Sequence, residues 1–212
     1  MLKIKRFIFN PFEVNTYLIY NENNKAIIID AGCYEKEEEK ELQKFIIENN
    51  IQPIAQINTH CHIDHILGNY FVSKTFNIPL LIHKDGLLFL NSASYYANIF
   101  NINMKNVVKP SYFIDENSKI NIDKEVLNVI YTPGHSNGSI CIISHSNTFV
   151  ITGDVLFYNS IGRTDLPTGN IEILLKNIKE KLMCLPESYK IYPGHGNFSY
   201  IGDEKNNNPF LK

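Results

Sequence analysis

A chain of 212 residues with 44% hydrophobic side chains can bury a core that needs no staples, so a single domain over residues 1–212 is expected. Its 20 basic and 22 acidic residues are scattered and leave a net charge of −2, which argues against a nucleic-acid partner. No apolar run approaches the roughly 18 residues that span a bilayer, the N-terminus lacks a leader's apolar centre, and four dispersed cysteines read as reduced thiols, so a cytoplasmic protein with no membrane partner is expected.

The first third reads as a meander of strands. Ile4, Arg6 and Ile8 alternate with Lys5, Phe7 and Phe9, a second strand covers Val14–Tyr20, and a third covers 25–30 and ends in Asp30-Ala31-Gly32. Residues 35–49 predict a helix, charged in its first half and carrying Leu42, Phe45 and Ile46 as its apolar stripe. A short strand at 54–58 runs straight into a histidine cluster, 64–76 is helical again, and Leu80–Ile82 is a buried strand. Residues 84–109 lack clear caps: Leu87, Leu88 and Leu90 suggest a short helix, followed by the aromatic-rich Tyr95, Tyr96, Ile99 and Phe100. Strands resume at 119–122, 126–131, 139–143 and 148–151, a helix covers 171–184, and a last strand covers 190–192. Strands then helix, repeated once, predict an α/β protein of two sheets with helices outside them.

The chemistry concentrates at His60-Cys61-His62-Ile63-Asp64-His65. Side chains two residues apart on extended backbone point the same way, so His60 and His62 can grip one ion. Asp64 and His65 fall at the turn into a helix and can face a second. More ligands must come from other loops. His135 in Pro133-Gly134-His135 and His195 in Pro193-Gly194-His195 both follow strands, where Pro and Gly set a corner and the imidazole projects from the rim. Asp154 follows the apolar run 149–153, and its two oxygens could bridge two ions. Imidazole and carboxylate without thiolate suit zinc, with iron and manganese as alternatives.

Together with Gly162-Arg163-Thr164-Asp165 and the tail Asn207-Asn208-Pro209-Phe210, these segments give the chain its family likeness. It resembles the metallo-β-lactamase superfamily over nearly its whole length, and within it the small bacterial glyoxalase II-type (hydroxyacylglutathione hydrolase-like) proteins. The resemblance implies an αββα sandwich of two mixed sheets flanked by helices. It also implies two divalent metal ions, one held by His60, His62 and His135, the other by Asp64, His65 and His195, with Asp154 bridging. Asp30 then matches the family's early buried aspartate, a support behind the ligands.

The implied reaction is hydrolysis of an acyl thioester such as S-lactoylglutathione by a metal-bridging hydroxide, with Asp64 mainly a ligand. Full-length glyoxalase II enzymes append a basic helical region that holds glutathione. Few residues follow His195 here, so the thioester chemistry is expected to carry over and the glutathione pocket is not.

The rival reading is a persulfide dioxygenase with one iron on His60, His135 and Asp154. Nucleic-acid hydrolysis, antibiotic hydrolysis and non-catalytic metal binding fit the sequence less well. Arg163 is expected to pair with Asp165 and brace a loop near the metals, with substrate contact as its other role. Tyr95, Tyr96 and Phe100 read equally as a lid over the pocket or as core, with Tyr96 the candidate substrate contact. Cys61 reads as a packed neutral thiol, and His83 and His145 as ordinary residues. A small-molecule thioester is the expected partner, and the chain is expected to be a monomer or homodimer.

Overall fold

The computed structural model describes residues 1–104 and 106–212. Two six-stranded mixed sheets face each other. The first holds β1 (Lys3–Phe9), β2 (Val14–Tyr20), β3 (Lys25–Ile29), β4 (Gln52–Ile57), β5 (Leu80–Ile82) and β6 (Tyr112–Phe113) in that order, with β1–β3 antiparallel and β3–β6 parallel. The second holds β7 (Lys119–Ile122), β8 (Glu125–Tyr131), β9 (Ile140–Ser144), β10 (Phe149–Gly153), β13 (Lys190–Pro193) and β14 (Ser199–Tyr200). Only its β10–β13 pair is parallel. A two-stranded ribbon of β11 (Leu156–Phe157) and β12 (Ser160–Ile161) pairs only with itself and packs against β10 and β13.

Residue parity builds the layers. Tyr17, Ile19, Ile27, Ile29 and Ile57 of the first sheet meet Ile120, Ile122, Leu127, Val129, Ile140, Ile142, Phe149 and Ile151 of the second in one buried layer. The intervening residues face outward onto helices, because successive strand side chains alternate between faces. Phe7, Leu18 and Ile28 meet Leu42 and Ile46 of α1 (Lys36–Glu48) and Val72 of α3 (Asn69–Phe76). Cys141, Ile143, Val150 and Ile191 meet Leu174 of α6 (Ile171–Asn177), Ile178 and Leu182 of the turn that follows it, and Ile201 of α7 (Ile201–Asn207). The result is the expected αββα sandwich. Burying one such Ile or Leu contributes about 1.5–3 kcal/mol, so strand alternation accounts for the architecture.

Where the elements differ from expectation, a local cause is visible. The helix predicted over 64–76 is two pieces, α2 (Ile63–Ile66) and α3, broken at Gly68. There the backbone presses on Ala31 and Cys33: a side-chain carbon at Gly68 would lie 2.5 Å from Cys33 Sγ and 2.8 Å from Ala31 O. The helix predicted over 171–184 ends as α6 and passes into a wider π-helical turn, Ile178–Leu182. The strand predicted over 25–30 stops at Ile29, because Asp30 is left-handed at φ 51°.

The segment 84–109, which includes position 105 outside the described residues, carries α4 (Leu87–Asn91) and α5 (Ala93–Ile99). The short elements β6, β11, β12 and β14, and α7, have no counterpart in the sequence reading. α7 shows almost no apolar period, since its buried side chains are Ile201 and a carboxylate, Glu204. Among the described residues no helix is long and apolar enough to cross a membrane.

Candidate metal centre

The seven candidate ligands come from four places and meet at one rim of the sandwich. β4 ends at Ile57, and residues 58–62 carry His60 and His62 into α2, which holds Asp64 and His65. This turn is tied down from within. Thr59 N and Oγ1 donate to Asp30 Oδ1 and Oδ2, both at 2.7 Å. Asn58 Nδ2 donates to His65 O at 2.8 Å, and Asn69 Nδ2 to Asn58 Oδ1 at 2.7 Å.

His135 follows β8, and Asp154 follows β10 at a register shift between Ile151 and Gly153 that re-aims the chain. His195 follows β13, where Asn15 N donates to Gly194 O at 2.7 Å. Glycine is required at 194 by close approach: a side-chain carbon there would lie 2.1 Å from Asp154 Oδ1.

Three groups of donor atoms converge: His60, His62 and His135; His60, His65 and Asp154; and Asp64, His65 and His195. His135 Nε2 lies 2.9 Å from His62 Nδ1 and 3.3 Å from His60 Nε2. His195 Nε2 lies 3.1 Å from Asp64 Oδ2, and His65 Nε2 lies 3.4 Å from both Asp64 Oδ2 and Asp154 Oδ1. Asp154 Oδ2 is 3.6 Å from His195 Nε2 and 3.8 Å from His135 Nε2. One carboxylate therefore reaches both sides of the cluster.

The far nitrogens set the tautomers. His135 Nδ1 donates to the Arg163 carbonyl at 2.8 Å, and His195 Nδ1 to the Phe12 carbonyl at 3.0 Å. Thr59 Oγ1, whose proton goes to Asp30, lies 3.2 Å from His60 Nδ1 and can accept from it. Asp30 Oδ2 lies 3.0 Å from His65 Nδ1. The contacts of His60, His135 and His195 favour the ring proton on the outer nitrogen, with the inner nitrogen toward the cluster, and Asp30 pairs electrostatically with His65.

The electrostatics divide the site. Burial, followed by the neighbouring imidazoles, holds His60 well below its ordinary range. Burial, then His135, takes His62 down to about 3. Burial also lowers His135, in spite of Asp154. On the other side burial opposes the charge on His65, yet Asp64, Asp154 and Asp30 outweigh it and raise that ring well above its ordinary value. The Asp64 hydrogen bond and Asp154 likewise outweigh burial and raise His195. Asp64 and Asp154 are held ionised against burial, chiefly by His65.

These atoms fit a divalent cation. His65 Nε2 and Asp154 Oδ1 are buried, make no hydrogen bond, and face each other. Converging imidazole lone pairs repel unless a proton or metal lies between them. The imidazole–carboxylate donor set admits zinc, iron or manganese.

A cavity of about 350 Å³ opens over this cluster, and Tyr96, Phe100 and Arg163 line it together with His62, Asp64, His135, Asp154 and His195. Of the two alternatives for Tyr96, lid or core, its side chain takes part in both, lining the cavity and packing against a buried cluster, whereas Tyr95 is exposed. Arg163 pairs with Asp165 through Nε and Nη2 at 2.7 and 2.6 Å, as expected, but both side chains are more than half exposed. The Arg163 atom that braces the centre is its carbonyl. Cys61 is buried, and burial pushes its thiol up, away from reactivity. His83 stacks on Tyr131 and His145 contacts the Tyr189 hydroxyl, away from the cluster.

Sequence reasoning missed three supports on β2 and before it. Asn15 Nδ2 donates to Pro193 O and Gly196 O at 2.9 Å, and Tyr17 Oη to Pro193 O at 2.6 Å, which holds the turn bearing His195. Asn10 Nδ2 donates to Asp64 O at 2.9 Å. The available signal was Asn15 and Thr16 inside a run that is otherwise apolar and wholly buried up to Ile19.

The family profile described as the metallo-beta-lactamase superfamily matches residues 9–195, which include all seven candidate ligands. The chain belongs to the metallo-β-lactamase superfamily. Its members are hydrolases, and the fold binds divalent metals. The chain is 34% identical over 203 residues to the hydroxyacylglutathione hydrolase GloC of Haemophilus influenzae, covering 94% of this chain and 93% of that one. Among solved structures it is similar to the BLEG-1 B3 metallo-β-lactamase, with a TM-score of 0.90, 30% identity, and coverage of 99% and 100%. It is also similar to TTHA1623 in a di-iron-bound form, with a TM-score of 0.88, 26% identity, and coverage of 98% and 100%.

Proposed function

We propose that this chain is a binuclear metallo-hydrolase acting on acyl thioesters. The observation that carries the reading is the position of Asp154, whose Oδ1 faces His65 and whose Oδ2 faces His135 and His195. His60, His62 and His135 would hold one ion, Asp64, His65 and His195 the second, with Asp154 shared. A pair of divalent cations, zinc or iron, supplies Lewis acidity there, lowering the pKa of water and polarising a carbonyl oxygen. The likeness to a hydroxyacylglutathione hydrolase supports a thioester as substrate.

The protein's own part is positioning. The Arg163 and Phe12 carbonyls and Thr59 orient three imidazoles before any substrate arrives. Asp64, held ionised beside His65 and His195, is a ligand first and a proton acceptor at Oδ2 second. In the reaction the oxygen of water bonds to the acyl carbon and the C–S bond breaks. The sulfur leaves with the electron pair, and the released protons pass to solvent or the thiolate. A thiol has a pKa of about 8.5, so the leaving group needs little acid assistance. That agrees with the lining, which apart from Arg163, the Tyr96 hydroxyl and the candidate ligands is apolar.

A one-iron persulfide dioxygenase would need only His60, His135 and Asp154. The second convergence, of Asp64, His65 and His195, favours the hydrolase. The test is thiol release from S-lactoylglutathione and simple acyl thioesters by metal-replete protein. Opening of a chromogenic cephalosporin and oxygen uptake with glutathione persulfide run as parallel arms. Thiol release abolished by a chelator is expected, without oxygen uptake. Protein with two bound metal equivalents and no thiol release from any thioester would overturn the reading.

A further inference from the structure

The cavity over the centre is walled on its outer side by Phe12, Phe89, Tyr96, Phe100, Leu166 and Pro167. Four of these rings form two pairs, one edge-on and one tilted. Phe12 meets Phe100 edge-on with ring centroids 5.4 Å apart, Phe89 meets Tyr96 at 6.1 Å, and Phe89 meets the ring of His62 at 4.7 Å. Apolar wall and ligands are thus in direct contact, and Phe12 belongs to both, since its carbonyl accepts from His195.

Charge in the lining is sparse and already used. Asp64 and Asp154 are turned to the histidines. Among the described residues that line the cavity, Arg163 is the one permanent cation, and Asp165 takes both its Nε and its Nη2. A tripeptide thiol with two carboxylates would meet on this wall one cation, already paired with Asp165, so at least one carboxylate would lie against apolar side chains, and desolvating it opposes binding.

We propose that the part of the substrate recognised here is an apolar chain beside the scissile carbonyl, and not a charged peptide carrier. The turnover half of this inference rests on the hydrolase reading above; the binding half does not. An apolar chain could sit on either side of the carbonyl, as the acyl group or as the thiol. The shared requirement is several methylenes or a ring laid against Phe100, Tyr96 and Leu166.

Two measurements test it. In the first, thioesters of one neutral thiol run from acetyl to octanoyl, with counterparts ending in a carboxylate, and a second set varies the thiol under a fixed acyl group. On one of the two sides kcat/KM rises about three- to fourfold per added methylene until the cavity is filled, and a terminal carboxylate removes at least about tenfold of that gain. The side that shows the gradient is the side the wall binds.

In the second, S-alkyl thioethers, which cannot be hydrolysed, are titrated calorimetrically into the metal-replete protein. The octyl compound should bind at least about tenfold more tightly than the ethyl compound. Phe100→Ala, at a half-exposed position, should reduce that octyl-to-ethyl ratio about tenfold, and Leu166→Ala should reduce it independently should either variant fold poorly. Flat profiles in both measurements, or S-lactoylglutathione outperforming every apolar thioester, overturn the inference. A binding gradient without turnover keeps it and removes the hydrolase reading; turnover without any gradient does the reverse.

Discussion

The two sides of the metal centre use the same residue type to opposite electrostatic ends. His60, His62 and His135 crowd together and, once buried, are held neutral. His65, fully buried, sits among Asp30, Asp64 and Asp154, and the more open His195 sits beside Asp64 and Asp154; both are driven toward their charged forms. Burial disfavours charge on every one of these rings, so the difference lies in how closely carboxylates approach each ring and in how completely it is buried. Position along the chain does not predict it, because His62 and His65 are on the same turn. One side is preorganised for a cation by lone pairs alone, and the other by ion pairs that a cation must replace.

The strongest way to break this division is to remove the group the two sides share. If Asp154 bridges two ions as proposed, Asp154→Ala should lower bound metal from two equivalents to one or fewer, and reduce kcat/KM by more than the ~10–100-fold typical of losing a supporting residue. Metal analysis of purified protein beside thiol-release assays checks it. A variant keeping both metals and full activity would show that the carboxylate bridges nothing. Asp30→Asn tests the support behind both sides, since it weakens the contacts to Thr59 and His65. Metal affinity measured by chelator competition should fall about 10–100-fold.

Acid stability of the chelator-stripped protein sharpens the comparison further. The folded chain holds His62 at about 3, against an ordinary 6.5, so below pH 6.5 the unfolded chain binds a proton there that the folded chain refuses. That ring therefore costs stability progressively as pH falls from about 6.5 toward 3. His195 is raised, so its contribution is fully present below 6.5 and is lost as pH rises through its folded value. His62→Gln should flatten the loss of stability on acidification, and His195→Gln should steepen it. Urea midpoints across pH 4–8 decide the matter, and parallel shifts in the two variants would refute the division.

Smaller effects mark the scaffold. Tyr17→Phe removes one buried hydrogen bond, to Pro193 O, and should cost about 1 kcal/mol, or roughly 2–4 °C in Tm. Asp165→Asn breaks an exposed ion pair and should leave Tm within about 1 °C. A larger loss there would mean that the pair stiffens the loop whose carbonyl holds His135.

By itself the sequence determined the layers and the seven converging side chains. Both are short-range signals: period-two alternation specifies a strand's buried face, and His60 to His65 places four donors within one turn of chain. Tertiary structure decided what backs those donors. The sequence draws attention to the Arg163 guanidinium, but its carbonyl holds His135, and the Phe12 carbonyl holds His195 from 183 positions away. Every residue has a carbonyl, so no side-chain pattern marks the one that will point at a ligand. The break at Gly68 and the polar helix α7 around buried Glu204 have the same origin, since each depends on a distant segment, Ala31 and Cys33 pressing on the one and Asn159 N donating to the other. The division between neutral and charged imidazoles is hidden likewise, because it depends on how folding balances burial against carboxylates: His135, 3.8 Å from Asp154, is lowered, whereas His195, 3.1 Å from Asp64, is raised.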